Sequence, residues 1–207
     1  MERAYQPQAC CPGLAYAALN LRRNPFGELD LSQRAELAVV ELEPYVRRLA
    51  EPGFALQLMG DKGRGKTTHL LAIGRRFRQA PYFRVPEVGA VAIPEAPVIL
   101  ADEIQRLGRR QRCRLFHPGR SLALGTHEDF AGELRRAGFV VETVAVAASL
   151  DAARLAEIVN RRIEAARRGP GPVPEVSLDV ARELLSQFGD DVRRIEWHLY
   201  DWIQRSA

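Results

Sequence analysis

Two hydrophobic patterns follow one another along this chain and divide it into two parts. Up to about residue 148, short apolar runs of the kind found in buried strands alternate with stretches of helical periodicity. From Ser149 onward only helical patterns occur, and they predict three short helices in a small bundle. The expected fold class is α/β, a parallel sheet between helices followed by α-helices. The predicted strands are residues 54–59, 82–85, 98–103, 121–127 and 139–146.

Helices are predicted between these strands. The first covers residues 32–49, where leucine and valine recur at near-helical spacing, and Pro44 is expected to bend it. Two more cover residues 68–78 and 128–137. Residues 1 to about 30 are expected to be irregular because Pro7, Pro12 and Gly13 interrupt any regular pattern.

A glycine-rich loop follows the first strand and opens a helix. Residues 60–67 fit the pattern G-x-x-x-x-G-K-[ST] in a strand–loop–helix context. Main-chain N–H groups of such a loop surround a phosphate, Lys66 reaches the terminal phosphates, and Thr67 can hold Mg²⁺. The sequence therefore predicts a nucleoside triphosphate site. The residues expected to contact the nucleotide are Gly60, Asp61, Lys62, Gly63, Arg64, Gly65, Lys66, Thr67 and Thr68.

Lysine usage adds to this interpretation. The only two lysines, Lys62 and Lys66, lie in the loop, and the other 28 basic residues are arginine. A lysine kept at the phosphate-contacting position suggests that the planar fork of arginine does not fit there. Chance explains Lys62 equally well.

Two carboxylates end the third predicted strand. Asp102 is placed to hold the magnesium shell, and Glu103, which points elsewhere, to orient and deprotonate an attacking water. A buried strand ending in two solvated acids would look the same by itself. The complete phosphate loop upstream favours the catalytic interpretation.

Spacing narrows the class of nucleotide-binding protein. Lys66 and Asp102 lie 36 residues apart, which leaves room for one helix and one short strand. The helical insertion of transporter-type ATPases, with its Leu-Ser-Gly-Gly-Gln signature, is missing, and so is the Asn-Lys-x-Asp motif of guanine binding. ATP is therefore the expected nucleotide. The carboxylate pair argues for hydrolysis and against a small-molecule kinase.

Polar residues also end the fourth predicted strand. In a parallel sheet the strand ends at Met59, Asp102 and Thr126 open on one crevice. Thr126 is then a candidate to hydrogen-bond the water or the terminal phosphate. His127 is either a second polar contact or a structural histidine, and Phe26 either covers the nucleotide base or fills the edge of the core.

The stretch after Glu103 is strongly basic. A basic helix there would grip the phosphates of nucleic acid, or it would be an ordinary solvated face in an arginine-rich protein. Both interpretations stay open. The arginines between residues 104 and 120 are Arg106, Arg109, Arg110, Arg112, Arg114 and Arg120.

Overall composition sets wider bounds. The 207 residues can form one full core, or one core with a helical appendage, and a net charge of +4 permits nucleic-acid contact without demanding it. Three cysteines, including the adjacent Cys10 and Cys11, make neither a disulfide framework nor a metal pair. No apolar run approaches the ~20 residues that span a bilayer. We therefore expect a cytoplasmic protein without membrane insertion.

The order of these motifs resembles the AAA+ ATPases, P-loop NTPases with a three-layer α/β core and a small α-helical lid. The resemblance covers most of the chain from about Asn24, and it implies that the strand carrying Thr126 lies between the strands of the two motifs. The segment from Asn24 to the first strand is also loosely similar to the ATPases of type II secretion and DNA transposition. Residues 85–97 depart from the family because they are too short and proline-rich for its usual second helix.

The resemblance also implies roles for residues outside the two motifs. Thr126 takes the sensor-1 position, and Arg193, followed by Arg194, takes the sensor-2 position that touches the γ-phosphate. Arg135 or Arg136 takes the position of an arginine finger, which acts on a neighbouring subunit and is worth about 10³ to 10⁵ in rate. A homo-oligomer or a partner subunit is therefore implied.

Together these features predict an ATP-binding and ATP-hydrolysing AAA+ type ATPase that acts as a nucleotide-driven switch or motor subunit with Mg²⁺. The alternative is a nucleotide-dependent DNA-binding adaptor with weak or no hydrolysis. The expected domains are a linker and helix at residues 1–50, the ATPase core at 51–148 and a helical lid at 149–207.

Overall fold

Strands and helices alternate through the first part of the computed structural model, which describes residues 15–146 and 150–206. The predictions for Pro7, Cys10, Cys11, Pro12, Gly13 and Ser149 lie outside these residues. The strands are β1 (Phe54–Met59), β2 (Tyr82–Arg84), β3 (Val98–Asp102), β4 (Ser121–Thr126) and β5 (Val140–Ala145). The helices are α1 (Leu31–Glu36), α2 (Glu43–Leu49), α3 (Lys66–Arg76), α4 (Arg109–Leu115), α5 (Ala131–Arg136), α6 (Ala152–Ala165), α7 (Leu178–Phe188) and α8 (Val192–Ser206), with short 3-10 helices at Ala17–Leu19 and Ile104–Arg106.

The five strands form one parallel sheet in the order β2-β3-β4-β1-β5. Parallel neighbours need crossover connections, and helices supply most of them here. The predicted α/β class with a parallel sheet is therefore confirmed. β4, which carries Thr126, lies between β1 and β3.

Each face of the sheet is covered by helices because alternate side chains of the strands point to opposite faces. On one face Leu56, Leu58 and Leu100 pack with Leu70 and Ile73 of α3. On the other, Ile99, Leu122 and Leu124 pack with residues of the 3-10 helix at Ile104–Arg106, of α4 and of α5. The sheet is thus the middle of three layers, with α2 and α3 on one side and α4 and α5 on the other.

The chain forms two compact units. Among the described residues, the sheet unit comprises 29–146, 150 and 190–192, and the helical unit comprises 15–28, 151–189 and 193–206. In the helical unit the buried Arg162 donates hydrogen bonds to the carbonyl oxygens of Pro25 and Gly27 at 2.9 and 2.7 Å. Its guanidinium lies over the buried ring of Phe26, which is therefore packed inside this unit.

The helical unit contains α6, α7 and most of α8, so the three helices predicted after residue 149 are present. Ser177 caps α7 as expected, its hydroxyl accepting a hydrogen bond from the N–H of Val180 at 3.3 Å. Their action as a lid, and the predicted domain boundaries, stay predictions. Among the described residues, no helix has the length and apolar character needed to cross a membrane.

The single helix predicted at residues 32–49 is wrong. Two short helices stand there instead, because α1 ends at Glu36 and α2 begins only at Glu43. Pro44 lies in the first turn of α2, where its missing N–H has no intrahelical partner to lose. Proline therefore starts a helix here and does not bend one.

Two other predicted helices are shorter than expected. After Glu103 the chain makes one 3-10 turn, passes Gly108 in an extended conformation and forms only the seven residues of α4, so no continuous basic helix covers residues 104–120. α5 begins at Ala131, and not near residue 128, because Gln57 of β1 holds the chain before it. The Gln57 side chain accepts a hydrogen bond from the N–H of Phe130 at 2.7 Å and donates one to Asp129 at 2.8 Å.

Candidate nucleotide site

The carboxyl ends of the three central strands lie side by side. Register pairs Met59 of β1 with Thr126 of β4, and Gly125 of β4 with Asp102 of β3. The glycine-rich loop leaves the sheet directly after Met59. The sheet thus brings together the loop, the carboxylates and Thr126, at the edge where ligands bind in open parallel sheets.

The glycine-rich loop turns into α3 with a backbone that side chains disfavour. Gly63 and Gly65 have φ values of 91° and 90°, in the left-handed region that glycine enters without steric cost. Gly65 is the N-cap of α3, and Lys66 and Thr67 are its first two residues. Main-chain N–H groups at this helix start have no intrahelical partners and are available to an anion.

The ammonium group of Lys66 lies across this loop. Its Nζ donates hydrogen bonds to the carbonyl oxygens of Gly60 and Asp61 at 2.6 and 2.9 Å, and it lies 3.4 Å from Nε2 of His127. The side chain is buried, and burial lowers the pKa of Lys66 while Glu103, Asp102 and Asp61 oppose that effect. The amine is therefore a buried point charge whose partners are mostly neutral carbonyls.

Asp102 is fully buried and hydrogen-bonded through both oxygens. Oδ2 accepts hydrogen bonds from Thr67 Oγ1 at 2.6 Å and from the hydroxyl of Tyr82 at 3.4 Å, and Oδ1 accepts one from the N–H of Glu103 at 3.0 Å. Burial and the negative charge of Asp102 raise the pKa of Tyr82 to about 12, so its hydroxyl remains a donor at neutral pH. A threonine hydroxyl and a carboxylate in direct contact are oxygen ligands of the kind that Mg²⁺ prefers.

Gly125 leaves the space that the Asp102 carboxylate fills. A Cβ on Gly125 would stand 2.4 Å from Asp102 Oδ1 and 3.1 Å from Cδ1 of Leu70. Neither neighbour can withdraw easily, because both are buried beneath the sheet edge. Glycine at position 125 therefore leaves the room that the carboxylate needs in its observed position.

Glu103 ends β3 in a left-handed backbone conformation, with φ 61° and ψ 39°. A non-glycine residue in this region carries a cost of about 1–3 kcal/mol, which is commonly found at functional sites. The turn stops the strand one residue earlier than predicted and aims the Glu103 side chain away from Asp102. The two carboxylates consequently have different surroundings.

Positive groups surround the buried carboxylate of Glu103. Oε2 accepts a hydrogen bond from Gln105 at 2.8 Å and lies 3.4 Å from Arg106, whereas Oε1 has only longer contacts, 3.6 Å to His127 and 3.8 Å to Arg84. Burial raises the pKa of Glu103, but Arg106, the Gln105 hydrogen bond, His127 and Arg84 together hold it below its usual value. The group is therefore an anion at neutral pH, with Oε1 as its less engaged oxygen.

Thr126 is buried, with its hydroxyl committed to its own chain. Oγ1 accepts a hydrogen bond from the N–H of Glu128 at 3.0 Å and donates one to the Glu128 carbonyl at 2.9 Å. His127 follows it and contacts both Lys66 and Glu103, so the alternative of a second polar contact at the site is the one that this geometry favours.

The side chains of the remaining predicted site residues are exposed, half-buried or paired with other residues. Asp61 and Lys62 are exposed at the loop tip, Thr68 is half-buried in α3, and Arg64 forms an ion pair with Asp190. Arg193 is exposed in the first turn of α8, in the helical unit. Arg135 and Arg136 are exposed at the end of α5. The sensor and finger roles of these arginines stay predictions.

Several neighbours of the carboxylates were not expected from the sequence. Tyr82, Arg84 and Gly125 approach Asp102 or Glu103 from adjacent strands, and Gln105 and Arg106 from the turn after β3. Only the short separation of Gln105 and Arg106 from Glu103 was visible in the sequence. The described part of the chain holds no cluster of three or more histidine, cysteine or carboxylate groups arranged for a metal, so Mg²⁺ would be held by Thr67, Asp102 and oxygens of the nucleotide or water.

Comparison with known proteins adds no relative. No protein-family model matches this chain, and no curated protein is detectably similar to it in sequence. The case for a function therefore depends on the geometry described above.

Proposed function

We propose that this protein binds ATP with Mg²⁺ and hydrolyses it. The observation that carries the proposal is the 2.6 Å contact between Thr67 Oγ1 and Asp102 Oδ2, which joins the glycine-rich loop to the end of β3. Two residues 35 positions apart in sequence are thereby brought together, and both carry oxygens of the kind that Mg²⁺ prefers. Glu103 and Lys66 are both buried beside that pair.

Each residue has a distinct task in this proposal. Lys66 exchanges its carbonyl partners for the β- and γ-phosphates, and the N–H groups at the start of α3 hold the same oxygens. Thr67 and Asp102 would hold Mg²⁺, and the ion would supply positive charge that offsets the negative charge of the terminal phosphates.

Glu103 acts on the attacking water through Oε1. The ion-pair partners of this oxygen, His127 and Arg84, lie 3.6 and 3.8 Å away, too far for a hydrogen bond. A carboxylate with a lowered pKa is a weak proton acceptor at neutral pH. Its larger contribution is therefore to orient and polarise the water, with proton transfer following as the bond to phosphorus forms.

The sheet order supports a relation to the AAA+ ATPases. The resemblance implies that the strand ending in Thr126 lies between the two motif strands, and β4 does lie between β1 and β3. The exposed Arg135 and Arg136 suit a finger offered to another subunit, and we propose that the protein works as a homo-oligomer or with a partner. Residues 86–97 contain neither helix nor strand, so we do not propose a substrate-gripping loop there.

ATP binding and steady-state turnover of three variants test this function. Lys66→Ala is expected to abolish nucleotide binding. Glu103→Gln is expected to keep binding and lower kcat by at least about 10²-fold, because a preorganised charged group is lost at the reacting centre. Glu41→Gln, an exposed glutamate before α2, is the matched control and is expected to behave as the wild type.

Equal turnover by the wild type and Glu103→Gln would remove Glu103 as the residue that acts on water. Binding without any turnover in the wild type would instead favour the nucleotide-dependent adaptor, a second candidate supported by the exposed arginines of α4. Measuring the mass of the protein with and without a slowly hydrolysed ATP analogue tests the oligomer in the same samples.

A further inference from the structure

Positive charge is concentrated in one layer of the sheet unit. Residues 104–138, which contain α4 and α5, carry eight arginines and three carboxylates, a balance of +5. The rest of the chain has 22 basic and 23 acidic residues, a balance of −1. The positive net charge of the protein is therefore carried by this one segment, and arginine-rich composition by itself does not explain this distribution.

The arginines of this layer fall into two groups. Arg106 and Arg112 have fixed partners, since Arg106 pairs with Glu87 and Glu103, and Arg112 pairs with Glu133 at 2.8 Å. Arg109, Arg110 and Arg114 are exposed, and in the part of the chain that the structure describes none of them makes a hydrogen bond or ion pair through its side chain. We call these three residues the α4 surface.

The α4 surface is electrostatically unfavourable to the isolated protein. Arg110 and Arg114 stand four residues apart on a helix, where like charges repel. Arg109 and Arg110 occupy the first turn, where the helix dipole disfavours positive charge, and that turn contains no acidic residue. An anionic partner would remove both penalties, so charge complementarity points to a polyanion.

The side chains around the α4 surface decide which polyanion it suits. All residues of 104–138 are described, and the layer exposes no large hydrophobic side chain because Leu115, Phe116 and Phe130 are buried. A membrane-binding helix needs exposed apolar residues that enter the lipid. Single-stranded nucleic acid is held through aromatic rings that stack on bases. The phosphate backbone of a duplex needs only positive donors.

We propose that the α4 surface binds the phosphate backbone of duplex DNA without reading its sequence. Guanidinium groups match phosphate oxygens through two parallel hydrogen bonds, which suits an arginine-only surface. This proposal does not depend on the ATPase proposal, because none of the three arginines contacts Lys66, Asp102 or Glu103. Arg106 connects the two regions in sequence, standing three residues before Arg109 and touching Glu103.

Binding of a short fluorescent DNA duplex of arbitrary sequence to the full chain, measured over a series of salt concentrations, tests the proposal. The variant Arg109→Gln/Arg110→Gln/Arg114→Gln is expected to weaken binding by at least about tenfold at low salt. The slope of log affinity against log salt should fall by about 0.9 for each phosphate that the variant no longer neutralises. The matched control is Arg47→Gln/Arg75→Gln/Arg78→Gln, which removes three exposed arginines on the opposite side of the sheet. It is expected to keep most of the affinity and the slope.

Equal losses in the two triple variants would overturn the proposal, since they would show a dependence on net charge alone. Stronger binding to phosphatidylserine vesicles than to the duplex, or to single-stranded than to duplex DNA, would overturn it as well. Thermal melts establish that all variants are folded. Lys66→Ala is expected to keep duplex binding, so this proposal and the ATPase proposal fail separately.

Discussion

Charge is held in two different ways at the candidate nucleotide site and on the α4 surface. At the site Lys66, Asp102 and Glu103 are buried, and the polar atoms of each lie within 4 Å of defined partners. On the α4 surface Arg109, Arg110 and Arg114 share one sign and point into solvent. The first arrangement depends on position, because buried groups interact strongly and cannot move freely. The second depends on the amount of charge, because solvent and salt screen exposed groups.

This difference determines how each region should respond to change. A shift of about 1 Å at the site is expected to cost about 10²-fold in rate. On the α4 surface single substitutions are expected to have graded effects, and added salt a large one. Substitutions that move an atom without changing a charge therefore separate the two regions most clearly.

The largest effect is expected for Gly125→Ala, which changes no charge. The new Cβ would stand 2.4 Å from Asp102 Oδ1, so the carboxylate must leave the position in which it accepts from Thr67. We expect ATP turnover to fall by about 10²-fold while duplex DNA binding is unchanged. Steady-state kinetics over a range of Mg²⁺ concentrations measures the loss.

Gly132→Ala is the matched control for this substitution. Gly132 lies in α5, and a Cβ there would meet nothing closer than 3.8 Å, the tip of Arg136. Alanine in a helix is favoured over glycine by about 0.5–1 kcal/mol, so this variant should be slightly more stable and fully active. Normal turnover in Gly125→Ala would mean that the position of Asp102 does not limit the reaction.

Tyr82→Phe is expected to have a smaller effect at the same carboxylate. It removes only the hydroxyl that donates to Asp102 Oδ2 at 3.4 Å, a long contact. Outer partners of a metal ligand change affinity by about 10–100-fold, and for this contact we expect the lower limit in the Mg²⁺ dependence of turnover. The pKa of Tyr82 is raised to about 12, so an ultraviolet titration of the wild type should show one late-titrating tyrosine that the variant lacks. A wild type without a late-titrating tyrosine would contradict the burial of the phenol.

Local patterns were sufficient to predict the parallel sheet and to bring Thr67 close to Asp102. β1 matches its predicted residues because an apolar run between a turn and a glycine-rich loop has few alternatives. The contact between Thr67 and Asp102 follows once β1 and β3 lie parallel in one sheet, with only β4 between them, and end at the same edge. The motif positions therefore imply most of the proposed metal site.

Features that depend on register or on competition between side chains were not predictable in this way. Position 125 requires glycine because the register of β3 and β4 pairs it with Asp102. α5 starts late because Gln57, far away in sequence, binds the chain before it. The left-handed backbone of Glu103 has no signal in the sequence, since glutamate rarely adopts it.

Arg106→Gln is expected to change the pH dependence of turnover more than it changes the turnover rate at neutral pH. Arg106 is the largest favourable influence on the Glu103 anion, so its loss raises the pKa of Glu103. The acid limb of kcat should then move to higher pH, because the proposed mechanism requires Glu103 to be ionised. At pH 7 we expect less than about threefold change, since Gln105, His127 and Arg84 still favour the ionised form of Glu103.

Arg106→Lys keeps the charge and should return the acid limb most of the way to its wild-type position. Arg75→Gln, which removes an exposed arginine from α3 on the other side of the sheet, is the control for net charge and should leave the limb in place. A limb that does not move in Arg106→Gln would show that Glu103 is not the group whose ionisation controls turnover.

Asp129→Asn should have the smallest effect and should appear only in stability. Hydrogen bonds from Gln57 and from the N–H of Ala131 lower the pKa of Asp129 below its ordinary 3.8. The ionised form therefore stabilises the fold above pH 3.8, and that contribution is lost as pH falls through the lowered pKa. Thermal unfolding at pH 7 should show a loss of at most about 2–4 °C in Tm for the variant, with the difference from wild type shrinking at pH 3. A difference that grows towards low pH would contradict this sign of the linkage. Unchanged ATP turnover would separate Asp129 from the buried charges at the ends of the neighbouring strands.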